Sequence, residues 1–180
     1  KEYNPRSSAQ WFMMKVKDLT RSGFSADRLI NQTGSTNRLE LGKMFTFKYD
    51  AKYKDTLPYW DMFPLVLPFR KVPDGFYGIN LHYLPLPLRA KLFDRLFDLV
   101  NNTKFDETTR LKLSYQILDG ASRFRYFKPC VKHYLNSQMD SRLIYIPPEE
   151  WQVAIFLPLH KFKGATVNTV HNDSRRSLIR

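Results

Sequence analysis

The chain has 180 residues, with 29 Lys and Arg against 17 Asp and Glu, and a formal net charge of +12. At 43% hydrophobic and 15% aromatic it is too apolar for a disordered chain; its single cysteine excludes an intramolecular disulfide framework or a cysteine-rich zinc module. No apolar run reaches the roughly 18 residues of a membrane-spanning helix, and the charge is spread without a block of five like charges, so it favours a polyanionic partner met by a folded surface rather than by a tail.

Residues 7–22 read as a helix capped by Ser7 or Ser8, with a second short helix over 26–30 and a polar loop over 31–37. Together they form an expected N-terminal helical arm, residues 1–40. Residues 41–85 read as three or four antiparallel strands. Phe45, Phe47 and Tyr49 alternate with polar residues, the period of a strand with one aromatic face. Phe63 to Phe69 is apolar and carries Pro64 and Pro68, which predicts an edge strand. Asp74-Gly75 signals a tight turn, after which Tyr77, Ile79, Leu81 and Tyr83 alternate again.

Residues 86–141 read as helical. Leu88, Leu92, Leu96 and Leu99 form one stripe that ends at Asn101-Asn102, and Asp106 is placed to cap the next helix. Pro129 suits a first helical turn, and Cys130, Val131, Tyr134 and Leu135 follow at helical spacing. Leu143–Ile146 fits a strand, Pro147 to Glu150 a helix start, and Trp151–Leu157 either state. The fold class expected is α+β: a small antiparallel sheet over about 41–85, packed by N-terminal and central to C-terminal helices. Residues 41–160 form the core domain and 161–180 a basic C-terminal extension.

Few residues carry recognisable chemistry. His82, His133, His160 and His171 stand apart in sequence, with none at i+4 from another, so no metal or cofactor is expected. A metal-dependent nuclease would use clustered carboxylates. Asp50-Ala51-Lys52 and Pro73-Asp74 have its two half-motifs, but in reversed order. Cys130 lies on an apolar face, where a structural role is commoner than a nucleophilic one. Arg89, Lys91 and Arg95 alternate with acids and read as a solvated, salt-bridged face.

Two segments stand out. The run Arg123-Phe124-Arg125-Tyr126-Phe127-Lys128, followed by Lys132, interleaves cations with aromatics. Arg123, Arg125, Lys128 and Lys132 suit phosphates, and Tyr126 suits base stacking. The bracketed block Leu57-Pro58-Tyr59-Trp60-Asp61-Met62-Phe63-Pro64 offers Leu57, Tyr59, Trp60, Met62 and Phe63 as a partner interface or a core seal.

The segments Gly42-Lys43-Met44-Phe45, Tyr49-Asp50-Ala51-Lys52, Thr56 to Asp61, Phe63-Pro64-Leu65 and Gly75 to Pro85 resemble a family of virion and assembly proteins of T-even-like phages with contractile tails. The resemblance covers most of residues 41–160. It implies a structural or DNA-associated protein of the virion, assembled in the bacterial host cytoplasm, and it supplies no catalytic residue. The expected function is therefore a non-enzymatic joint between subunits of the tail baseplate or neck. The alternative is a protein that binds and protects the packaged DNA end; a nuclease ranks third. Expected partners are other virion subunits and double-stranded DNA, with no membrane and no small-molecule substrate.

Overall fold

The computed structural model describes residues 35–179, apart from 101, 124, 126 and 157–159. The helices expected over 7–22 and 26–30 lie outside the described residues. The fold is α+β. Among the described residues eight strands, β1 (Ser35–Thr36), β2 (Met44–Thr46), β3 (Trp60–Asp61), β4 (Leu65–Val72), β5 (Gly75–Asn80), β6 (Val131–Leu135), β7 (Leu143–Ile146) and β8 (Phe162–Lys163), accompany four α-helices. The helices are α1 (Leu86–Val100), α2 (Glu107–Arg123), α3 (Trp151–Phe156) and α4 (Val167–Ile179). Six strands form one antiparallel sheet in the order β1-β7-β2-β4-β5-β6, and β3 pairs with β8 as a separate ribbon.

The period-two alternation sorts side chains onto two faces. Met44, Leu65, Leu67 and Ile79 point into the main core, where Leu92, Phe93 and Leu96 of α1, Leu118 of α2, Trp151 of α3 and Val170 of α4 meet them. Phe45, Phe47, Tyr49, Val66, Phe76 and Tyr134 form an aromatic cluster on the opposite face. Tyr134 stands edge-on to Phe47 and Tyr49, with ring centroids 5.3 and 5.0 Å away, an arrangement the ring quadrupoles favour. The expected leucine stripe is the buried face of α1. Asp106 caps α2, its Oδ1 accepting the Thr109 N–H at 2.7 Å.

Four expectations are corrected. β4 is a central strand, not an edge. Its Pro68 is tolerated because the ladder to β5 shifts register between Pro68 and Arg70, so the missing N–H falls at a bulge. The strand after Asp74-Gly75 stops at Asn80, whose side chain accepts the His82 N–H and starts a 3-10 turn over Leu81–Tyr83. Residues 131–135 are a strand, not a helix. Five residues satisfy either period, and the free edge of β5 decides: Phe76 pairs with Tyr134 and Gly75 with Leu135. A Cβ on Gly75 would lie 1.8 Å from the Tyr134 carbonyl oxygen, so that close approach requires glycine. Finally, residues 161–179 do not extend away from the core. Phe162–Lys163 pairs with β3, and α4 buries Val170 completely.

Gly75→Ala forces the β5–β6 pair apart. The expected outcome is a loss of about 3 kcal/mol, read as a lowered midpoint in urea denaturation. An unchanged midpoint would show that β6 pairs differently.

Candidate nucleic-acid interface

A buried polar network fixes the floor of the candidate site. Asp61 of β3 is 3% exposed and His82 is fully buried. The Asp61 Oδ2 lies 2.6 Å from His82 Nδ1 and accepts from Asn80 Nδ2 at 3.1 Å. Its Oδ1 accepts the backbone N–H groups of Phe63 and Lys161. Asn80 also donates to the Tyr134 hydroxyl at 3.0 Å. Arg89 of α1 donates to the carbonyls of Leu84, Ile155 and His82, and His171 of α4 donates to the His82 carbonyl at 2.9 Å. Every lone pair of the buried carboxylate side is therefore engaged, as such a site demands.

The electrostatics follow the geometry. Burial pushes the Asp61 carboxyl up, but His82 and Asn80 outweigh it and hold it below its ordinary value. Burial lowers the Arg89 guanidinium to about 10. Burial, with His82 and Arg89 nearby, lowers the His160 imidazole to about 4. The histidines are thus not isolated, since the His82 and His160 rings lie 5.7 Å apart and His171 caps the same turn. His133 sits elsewhere, 3.1 Å from Asp74 and stacked on Tyr77. Arg89 belongs to this core rather than to the solvated face expected of it.

Above the network runs a basic groove. One part, of about 480 Å³, is lined by Tyr59, Tyr83, Arg125, Lys128, Lys132 and residues of α4. A second part, of about 390 Å³, shares Tyr59, Tyr83 and Lys132 and adds Lys52, Tyr53 and His133. Lys132 lies where they meet, its Nζ 4.0 Å from the Tyr83 ring centroid. Tyr83 is held from below, its carbonyl accepting the Ser174 hydroxyl at 3.0 Å. Tyr53 is 59% exposed, with Lys52 Nζ 5.4 Å from its ring centroid.

The basic run is thus partly assembled. Arg125, Lys128 and Lys132 share the groove. Arg123 does not line it: one α2 turn back, Asp119 takes its guanidinium at 2.7 Å. Tyr126 lies outside the described residues. Lys52 and Tyr53 belong to the site although their sequence context is only a polar connector.

The aromatic block is mostly internal. Phe63 is buried, Tyr59, Trp60 and Met62 are half-buried, and Leu57 alone of the five is exposed. The β3–β8 pairing explains this, because it lays Tyr59 against Tyr83 and Phe162. The block thus lies mostly within the fold, with Leu57 at the surface.

The carboxylates considered for phosphodiester cleavage are engaged elsewhere. Asp50 pairs with Lys54 at 2.9 Å and Asp74 with His133. Among the described residues no group of three or more His, Cys, Asp or Glu side chains converges to hold a metal ion. Burial pushes the Cys130 thiol up to about 12, so it stays protonated.

A family model described as Phage T4 terminal DNA protecting protein matches residues 3–172. No curated protein and no solved structure matches the chain.

Asp61→Ala leaves His82 and Asn80 buried without their acceptor. The expected cost is about 3–5 kcal/mol, measured by chemical denaturation; a loss under about 1 kcal/mol would show that the pair does not organise the fold. Stability also falls as pH drops from about 6.5 toward about 4. In that window the unfolded chain protonates His160 while the folded chain keeps it neutral, so acid favours unfolding. His160→Gln flattens the pH dependence of the urea midpoint across this window. An unaltered profile would rule out His160 as its source.

Proposed function

We propose that this chain, which belongs to the phage T4 terminal DNA protecting protein family, binds the ends of double-stranded phage DNA in the virion and covers them without cutting them. The family description supports the DNA-end reading over a baseplate or neck joint. The observation that carries the reading here is the convergence of Arg125, Lys128 and Lys132 in one groove beside exposed Tyr53.

A duplex end differs from a duplex interior in two ways. It exposes the flat face of its last base pair, and its strands terminate beside that face. An exposed tyrosine ring suits the first, because stacking on a base is worth about 1–3 kcal/mol and tolerates any sequence. Clustered Lys and Arg suit the second by neutralising phosphates and releasing their counterions. The groove contains both, and the net charge of +12 draws the chain toward DNA from a distance. None of this requires a reacting group, and the engagement of Asp50 and Asp74 with Lys54 and His133 supports binding rather than cleavage. The exposed Leu57, beside Tyr53, is the part of the aromatic block open to a neighbouring virion subunit.

The test is a salt titration of binding to a short blunt duplex, with and without magnesium. The expected result is affinity that falls steeply with salt, with no cleavage in either condition. Removing two cations in Arg125→Ala/Lys128→Ala flattens the plot of log affinity against log salt by about one unit per lost phosphate contact. An unchanged slope removes the groove as the DNA surface, and cleavage with magnesium overturns the reading.

A further inference from the structure

We infer that Lys132 forms the base of a subsite for a phosphate monoester, the group that caps a DNA strand at its terminus. The inference rests on the end-binding reading and specifies what that site takes.

Lys132 carries a charge with no carboxylate partner among the described residues. Lys132 is half-buried on β6, and burial lowers its pKa, a sign that the surroundings do not favour its charge. Lysines so placed are normally paired with a carboxylate. Among the described residues no carboxylate lies within ion-pair distance of Lys132 or contributes to its titration. The Cys130 thiol, which does act on the titration of Lys132, stays protonated and supplies no negative charge. The ammonium instead rests over the Tyr83 ring, which attracts a cation without neutralising it.

The position selects the anion. Lys132 opens onto the 480 Å³ groove, with Arg125 and Lys128 also lining it. That volume is the size of a small-ligand pocket and can take a strand terminus. A terminal monoester carries about 1.5 to 2 negative charges at neutral pH, against one for an internal diester, so three converging cations favour it. Asp173, the acid on the far wall, is engaged by the Tyr59 hydroxyl and does not occupy the ammonium.

The test compares binding of the full chain to blunt hairpin duplexes, each with one free end. The ends carry a 5′-phosphate, a 3′-phosphate, or hydroxyls only, and closed circular DNA is the competitor. The expected result is about tenfold tighter binding to a phosphorylated end than to the hydroxyl end, the scale of one charge-assisted hydrogen bond. The two phosphorylated arms show which strand terminus is read. Lys132→Met, which keeps a chain of similar length over Tyr83, abolishes the preference, and Lys132→Arg retains it. Equal affinity for phosphorylated and hydroxyl ends, with ends still preferred over circles, overturns the subsite and leaves end binding intact. No preference for ends over circles overturns both. The comparison decides with the wild-type chain alone, so a variant that fails to fold does not remove the test.

Discussion

The Asp61–His82 pair is the interaction on which the rest of the structure depends. It joins the β3–β8 ribbon, a sheet separate from the main one, to the turn after β5 and, through Asn80 and Tyr134, to the edge strand β6. A carboxylate is costly to bury, and it is tolerated here because three donors and a histidine ring surround it. The His82 carbonyl then receives Arg89 from α1 and His171 from α4. Helices from the middle and the C-terminal part of the chain are thereby tied to one turn. Tyr83, the next residue, is fixed by the same ties and becomes the platform under Lys132.

That chain of dependence links stability to function. The floor of the groove is the polar core, and its cations stand on the short connection between α2 and β6 and on β6 itself. Under the proposed function, a site whose floor is already ordered loses little entropy on binding. The few glycines and many prolines of the chain agree with a fixed surface rather than a closing lid.

Local features were legible in the sequence. The leucine stripe of α1, the Asp106 cap and the alternation of Phe45, Phe47 and Tyr49 each depend on neighbours within a few residues, and each is where its pattern places it. The strand identity of Val131–Leu135 was not legible, because five residues fit both periods and the deciding partner is Gly75, some sixty positions earlier. Asp61 and His82 are 21 residues apart, and neither position announces the other. The site was readable to the same degree. The basic–aromatic run yielded Arg125, Lys128 and Lys132, but included Arg123, which a helical i,i+4 acid captures. Tyr53 and Lys52 were missed because a polar connector shows no periodicity until folding lays it beside β6.

The central claim is that the chain covers DNA ends, and a footprint on a long linear duplex tests it most directly. With the chain bound at moderate salt, protection from nuclease attack should be confined to the terminal base pairs at both ends and absent from the interior. Uniform protection along the duplex would mean that the groove reads backbone anywhere, and absence of protection at the ends would contradict the account.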